Sequence, residues 1–283
     1  DNLLKMALIL LRARANIPVV ICGEAGCGKT SLIGFLAAVV EVKFRVLSLH
    51  AGVQEDQIHE FMETSTQHAK NGQVWLFFDE INTCNHIGLL ADLIAHRILS
   101  GRPIHWNIRL FAACNPYRLR KKSESSVGLE KNYQEQSKLV YQVHPLPNQI
   151  LDYVWDYGIL KPEDEREYIK IMVKSQIGIY PVLVDLLSES QKFIRNVEEL
   201  YTVSLRDVKR AIKLVKWFQK SLKERSPVIR ANRISLFMKH WSYPPKDNKK
   251  LIRCSFVLSL GLCYQSRLYD QDLRKKYREC MSR

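Results

Sequence analysis

The first half of the chain alternates short apolar runs with segments of helical periodicity. Continuous apolar runs are typical of strands buried on both faces of a parallel sheet, and strand–helix alternation indicates βαβ units. We therefore predict an α/β fold with a five-stranded parallel sheet flanked by helices, its strands at 17–22, 44–49, 74–80, 108–116 and 139–143. Helices are predicted at 3–15, 31–40 and 86–99, with a further amphipathic helix around Ile58 to Met62.

The pattern changes after residue 144. From 148 onward only helical spacing recurs, at 148–157, 163–176, 181–194 and 204–222, and one or two further helices are predicted between 232 and 282. These patterns predict a nucleotide-binding α/β subdomain over 1–144, an all-helical subdomain over 145–225 and a basic helical extension over 226–283.

A glycine-rich stretch, GEAGCGKT, joins the first predicted strand to the helix that follows it. The G-x-x-x-x-G-K-T pattern in this setting is typical of a phosphate-binding loop, whose backbone N–H groups surround a phosphate at a helix N-terminus. Lys29 is expected to reach the terminal phosphates and Thr30 to hold Mg²⁺. A chance match in a glycine-rich turn is the alternative, which the flanking elements disfavour. The predicted nucleotide-binding residues are Gly23, Glu24, Ala25, Gly26, Cys27, Gly28, Lys29, Thr30 and Ser31.

Polar residues follow two of the other predicted strands. Asp79 and Glu80 end a buried apolar strand, where α/β sheets bind their ligands. We expect Asp79 to bind Mg²⁺ with Thr30, and Glu80 to act as the general base that polarises the attacking water. Asn115 ends the next strand, where its amide could orient that water or contact the γ-phosphate. A solvated turn is the alternative for the acids, and an ordinary Asn-Pro turn is the alternative for Asn115.

Arg206 is a further candidate, in the first turn of the helix predicted at 204–222. Ser204 and Asp207 form a capping signal that indicates where this helix begins. A cation in the first turn opposes the helix dipole, which suggests a nearby anion such as a phosphate. An ion pair with Asp207 or Glu198 explains the same placement equally well.

The positive charge is concentrated near the C-terminus. The net charge is +14, yet residues 1–200 carry −1 and residues 201–283 carry +15. Such a surface could meet nucleic acid, acidic lipid or an acidic protein, and a solvated helix face beside an acidic neighbouring module is the simpler interpretation. Nucleic acid is disfavoured because no helix-turn-helix, zinc finger or aromatic-interleaved basic ribbon occurs. Association with a lipid surface stays open.

Seven cysteines without a CxxC pair favour neither a disulfide framework nor a zinc site. They indicate a reducing compartment, which we expect to be the cytoplasm, since no signal peptide or transmembrane segment is recognisable. Cys27 lies inside the phosphate loop near a helix N-terminus, so it is a candidate for oxidation.

These motifs, in this order and spacing, resemble Walker A, Walker B, sensor 1 and sensor 2 of AAA+ ATPases. The longer phrases FFDE-x-N, AACNPYR, LVYQVHPLP, VWDYG and SLRDVKRAIKLVKWF resemble the mysterin family of giant AAA+ RING-type E3 ubiquitin ligases, most closely its third AAA unit. The resemblance covers roughly residues 15–265 and implies a P-loop AAA+ fold with a helical lid over 145–225, binding ATP and Mg²⁺.

The resemblance also implies partners. Neighbouring AAA+ modules of the same chain would supply an arginine finger in trans, and ubiquitin-pathway proteins would act elsewhere, because this segment has no RING finger. Arg118 and Arg120, just past sensor 1, could reach outward to a neighbour or be ordinary loop arginines. We expect an ATP-hydrolysing motor module, with a structural nucleotide-binding scaffold and a nucleic-acid-remodelling ATPase as the alternatives.

Overall fold

Five parallel strands form the central sheet of the first half of the chain. The computed structural model describes residues 2–24, 26–117, 143–158, 160–198, 202–224 and 248–282. The strands are β1 Val19–Cys22, β2 Lys43–Ser48, β3 Val74–Asp79, β6 Ile108–Cys114 and β7 Val154–Asp156. The strand order is β2-β3-β6-β1-β7, and all four strand pairs are parallel. The predicted α/β architecture is confirmed.

Helices cover both faces of this sheet. The first four are α1 Asn2–Arg14, α2 Lys29–Val39, α3 Glu55–Ala69 and α4 Ile87–His96, and a two-stranded hairpin, β4 Ile98–Leu99 and β5 Arg102–Pro103, follows α4. Alternate residues of a strand point to opposite faces. Trp75 and Phe77 therefore pack with α1 and α2, whereas Leu76 and Phe78 pack with α3 and α4. Two-sided burial explains why the central strands are apolar throughout.

The last strand of the sheet differs from the sequence prediction. Residues 139–142 of the strand predicted at 139–143 lie outside the described residues. The fifth strand is β7, within the segment predicted as a helix over 148–157, of which only α5 Asn148–Leu151 is helical. β7 pairs in parallel with β1, and the first compact unit of the chain extends to Ile159. The α/β unit therefore continues past the boundary predicted at 144.

The second compact unit, Leu160–Arg283, is helical in the residues that the structure describes. Its helices are α6 Pro162–Gln176, α7 Pro181–Val197, α8 Leu205–Glu224, α9 Asn248–Cys263 and α10 Gln271–Ser282, and a short 3-10 turn, Gln265–Arg267, lies between the last two. One apolar core contains residues from all five helices, among them Ile169, Leu187, Val208, Leu260 and Tyr277. Of the extension predicted over 226–283, the structure describes residues 248–282. These residues belong to the helical unit, because α9 and α10 contribute side chains to its core. Among the described residues, no helix is both long and apolar enough to span a membrane.

Candidate functional site

The glycine-rich loop lies at the C-terminal edge of the sheet, between β1 and α2. Gly26 and Gly28 have φ angles of 80° and 95°, a left-handed conformation that side chains disfavour. Gly28 is also the residue from which α2 begins. A Cβ on Gly23 would lie 3.0 Å from the Cβ of Tyr157, just past β7. Gly26 and Gly28 are therefore needed for their backbone conformation, and Gly23 is needed because a side chain there would be too close to Tyr157. Ala25 lies outside the described residues.

Lys29 is folded against this loop. Its side-chain ammonium donates hydrogen bonds to the carbonyl oxygens of Gly23 at 2.5 Å and Glu24 at 3.1 Å, and to Asn115 Oδ1 at 3.5 Å. Lys29 is only 7% exposed. These three acceptors are neutral oxygens, so they solvate the ammonium without neutralising its charge. The geometry places a positive group at the mouth of the loop, where a phosphate would be attracted.

Thr30 and Asp79 are brought together from opposite sides of the site. The Thr30 hydroxyl donates a hydrogen bond of 2.8 Å to Asp79 Oδ2. Asp79 is the last residue of β3, and Thr30 is the second residue of α2. A hydroxyl and a carboxylate oxygen are hard ligands of the kind that Mg²⁺ prefers alongside water and phosphate oxygens. The two side chains predicted to hold the metal therefore fit that role.

Glu80 has an unusual backbone. Its φ and ψ angles are 59° and 42°, a left-handed conformation that costs a non-glycine residue roughly 1–2 kcal/mol. The Glu80 carbonyl accepts hydrogen bonds from the Thr83 backbone N–H at 2.9 Å and from the Thr83 hydroxyl at 2.8 Å. These bonds stabilise a sharp change of chain direction directly after Asp79. Strained backbone of this kind clusters at functional sites.

Asn115 is held by a residue that the site predictions did not include. Asn82 donates from Nδ2 to the Asn115 carbonyl at 2.8 Å, and its Oδ1 accepts from the Asn115 backbone N–H at 3.2 Å. Asn82 is only 1% exposed. Its amide thus fixes the backbone of Asn115 while the Asn115 side chain faces Lys29. The FFDE-x-N phrase contains this amide two residues after the acid pair, but the phrase alone does not indicate that the amide binds backbone.

Arg206 belongs to the second unit, where its side chain is exposed near the start of α8. Its predicted alternative partner, Asp207, instead accepts hydrogen bonds from Arg210 at 3.1 Å and from Arg267. Within the described part of the chain, Arg206 forms no ion pair of its own. Its role toward a nucleotide stays a prediction, and Arg118 and Arg120 lie outside the described residues.

Comparisons with known proteins show which sequences this chain is similar to. A family model described as RNF213 AAA domain matches residues 1–118. The chain is 31% identical to E3 ubiquitin-protein ligase rnf213-beta of Danio rerio over an alignment that covers 96% of this chain. It is 30% identical to E3 ubiquitin-protein ligase RNF213 of Homo sapiens, with 100% of this chain covered. In both cases the chain spans only 6% of the relative's length.

Solved structures show the same fold. The RuvB Holliday junction branch migration motor of Thermotoga maritima superposes with a TM-score of 0.50 at 14% identity, covering 92% of this chain and 68% of that chain. A point mutant of the same RuvB superposes with a TM-score of 0.50 at 15% identity, covering 90% of this chain and 69% of that chain. At such low identity the likeness concerns the fold alone. The chain therefore has the P-loop AAA+ fold, and its sequence is similar to the AAA domain of RNF213, or mysterin.

Proposed function

We propose that this chain binds and hydrolyses ATP with Mg²⁺, as a motor module within a mysterin-like E3 ubiquitin-protein ligase. The observation that carries the proposal is the convergence of Lys29, Thr30, Asp79 and Asn115 around one glycine-rich loop. A positive group, a pair of metal-type oxygens and an amide are the parts that phosphoryl transfer to water requires.

Each part has a role in the proposed reaction. Backbone N–H groups of the loop and the ammonium of Lys29 bind the phosphates, and Thr30 and Asp79 hold Mg²⁺, which neutralises charge on the phosphate oxygens when it is bound. Glu80 accepts the proton of the attacking water, and Asn115 orients that water or contacts the γ-phosphate. Arg206 would report the state of the nucleotide to the helical unit, which acts as a lid that couples the nucleotide cycle to conformational change.

The proposed partners follow from the relatives. Neighbouring AAA+ modules of the same chain would complete the site with an arginine finger, and ubiquitin ligase activity and its protein partners would lie outside this segment. All seven cysteines are free thiols, which supports a cytoplasmic location. Exposed Lys209, Lys213 and Lys216 on α8 suit an acidic protein or lipid surface better than nucleic acid, since no nucleic-acid-reading motif accompanies them.

The first experiment measures nucleotide binding. Lys29→Ala removes the ammonium from the loop, and we expect calorimetry with ATP and Mg²⁺ to show no binding. Lys70→Ala, an exposed residue at the end of α3, is the matched control and should bind as the unaltered chain does. Equal binding by Lys29→Ala and the control would contradict the assignment of the loop.

The second experiment separates binding from hydrolysis. Glu80→Gln keeps the size of the side chain but removes the base, so we expect ATP to bind while phosphate release falls by about 10²–10⁴-fold. Glu63→Gln, exposed on α3, should leave both unchanged. Unchanged turnover in Glu80→Gln would refute its role as the base. Binding without turnover in the unaltered chain, both alone and joined to its flanking modules, would indicate a structural nucleotide-binding scaffold.

A further inference from the structure

Two cysteine thiols lie side by side beneath the loop. Cys22 ends β1 and Cys114 ends β6, and the two residues are register partners in a parallel strand pair. Adjacent strands lie about 4.8 Å apart, within the roughly 4.4–6.8 Å between Cα atoms that a disulfide spans. Both side chains pack on the same face of the sheet. The fold therefore holds the two sulfur atoms within reach of each other.

The two thiols differ in their chemistry. Cys114 is buried, at 1% exposure, and its sulfur atom lies 3.8 Å from the Ile21 carbonyl oxygen, within hydrogen-bond range. Hydrogen bonding from Cys114 lowers the pKa of Cys22 to about 7, helped by the charge of Lys29 and opposed by burial and by the charges of Asp156 and Glu24. The same interaction, together with burial, raises the pKa of Cys114. Half-buried Cys22 is thus suited to be the nucleophile and Cys114 the proton donor.

Cys27, the cysteine that the sequence marks for oxidation, is in a different environment. Burial is the main influence on its thiol and raises its pKa, so less thiolate forms there than at Cys22. The reactive thiol at this loop is therefore Cys22, one residue before Gly23 on the strand side of the loop.

We propose that Cys22 and Cys114 form an oxidation site that hydrogen peroxide converts into a disulfide beside the nucleotide loop. The Cys22 thiolate attacks one peroxide oxygen, the O–O bond breaks, and hydroxide leaves as Cys22 becomes a sulfenic acid. The Cys114 sulfur then attacks the Cys22 sulfur, its proton joins the departing hydroxyl group as water, and the S–S bond forms. Together the two thiols are oxidised by two electrons, and one peroxide is reduced to two waters.

The disulfide would act on the nucleotide site through the residues that follow each cysteine. Gly23 and Asn115 supply two of the three oxygens that hold Lys29, and the Gly23 N–H already bonds the Cys114 carbonyl at 3.3 Å. An S–S bond is about 2 Å long, so the two side chains must turn toward each other to form it, and the backbone at Gly23 and Asn115, one residue further on in each strand, adjusts with them and shifts both oxygens. This regulatory part rests on the proposed function, and we expect nucleotide affinity to fall by about tenfold or more, which corresponds to at least ~1.4 kcal/mol.

The test uses the full chain treated with hydrogen peroxide, alkylated and digested with trypsin. Cys22 and Cys27 fall in one tryptic peptide, residues 15–29, and Cys114 falls in another, residues 110–118. We expect these two peptides to be joined in the unaltered chain and in Cys27→Ser, and to separate after dithiothreitol. In Cys22→Ser the link should be lost, whereas in Cys114→Ser dimedone should trap a sulfenic acid at Cys22. Cys280→Ser, exposed on α10, should behave as the unaltered chain does.

Several results would overturn the proposal. These are a link that persists in Cys22→Ser, a link that disappears in Cys27→Ser, or both thiols alkylated after peroxide. The mass measurement on the unaltered chain does not depend on whether any variant folds. A reduced chain that binds no ATP would refute the proposed function while a Cys22–Cys114 link still established the oxidation site. A link that leaves ATP affinity unchanged would refute the regulatory part.

Discussion

Asn82 fixes the backbone of Asn115 through both the nitrogen and the oxygen of its side-chain amide. Asn82→Ala would leave the buried N–H and carbonyl of Asn115 without their partners. Burying unsatisfied polar groups of this kind costs about 1–3 kcal/mol, and we expect the free energy of unfolding in urea to fall by that amount. ATP turnover should fall as well, because Asn115 would no longer be held beside Lys29.

Asn85 is the matched control for this change. It lies three residues later, is exposed, and donates one hydrogen bond of 3.1 Å to the Ala51 carbonyl. Asn85→Ala should change stability by less than about 1 kcal/mol, because solvent can replace the lost bond. Equal losses in the two variants would show that the Asn82 amide does not hold the site.

Gly28 tests the backbone of the loop separately from its side-chain contacts. A Cβ at Gly28 meets nothing within 4 Å, but the residue has a φ of 95°. Gly28→Ala should therefore lower the free energy of unfolding by roughly 1–2 kcal/mol through backbone strain alone, and it should weaken ATP binding. Gly88→Ala in α4 also meets open space without a left-handed φ, and there we expect stability to stay constant or rise by at most about 1 kcal/mol.

At the residue scale, sequence patterns predicted Lys29, Thr30, Asp79 and Asn115, side chains that the structure brings together at one loop. Glycine is needed where the loop backbone is left-handed, and the proposed function requires a lysine, a hydroxyl and a carboxylate for phosphate and metal. Asn82 was missed because a buried amide that binds backbone has no spacing rule of its own. The left-handed conformation of Glu80 was also outside the reach of sequence, since no residue preference of glutamate predicts it.

At the scale of elements, the short strand β7 shows where periodicity fails. Ile150, Leu151, Val154 and Trp155 have the i, i+1, i+4, i+5 spacing of an amphipathic helix. Only the first two lie in a helix, because the backbone of Val154–Asp156 finds hydrogen-bond partners along β1. A strand of three residues is too short to show alternation, so tertiary pairing decides its conformation.

The ion pair between α6 and α7 can be tested by single substitutions. Arg195 binds Glu165 through two hydrogen bonds of 2.6 and 2.7 Å, and Glu165 is only 7% exposed. Arg195→Ala leaves a buried carboxylate without its partner, which should lower the free energy of unfolding by about 3–5 kcal/mol. The exposed pair of Lys192 and Glu189 on α7 is the control, and Lys192→Ala should cost less than about 1 kcal/mol. Similar losses, measured by urea denaturation, would contradict the role of burial.

At the scale of the whole molecule, the net charge of the C-terminal helices did not indicate that they contribute to the core of the helical unit. The excess of +15 over residues 201–283 suggested a separate basic extension. Among the described residues of this segment, however, Lys209, Lys213 and Lys216 are exposed, while Phe256, Leu260 and Tyr264 are buried with α6, α7 and α8. Apolar spacing was therefore the better guide to the domain organisation than charge, since burial depends on one face of each helix.

Tyr277 makes the stability of this shared core depend on pH. It is 2% exposed on α10, and its hydroxyl lies 2.8 Å from Ser190 Oγ on α7. Burial raises the pKa of Tyr277 to about 12, whereas an unfolded tyrosine has a pKa of about 10. Above pH 10 the unfolded chain loses this proton first. The stability that the protonated tyrosine provides is therefore complete below pH 10 and is lost as pH rises toward 12.

Tyr277→Phe isolates this contribution from the other groups that titrate at high pH. At pH 8 the variant should be less stable by about 1 kcal/mol, because it lacks the contact with Ser190. Between pH 10 and 11 the unaltered chain should lose up to about 1.4 kcal/mol more than the variant does, so that the two unfolding curves converge. Parallel pH dependence of the two chains in urea denaturation would contradict the raised pKa of Tyr277 and its burial between α10 and α7.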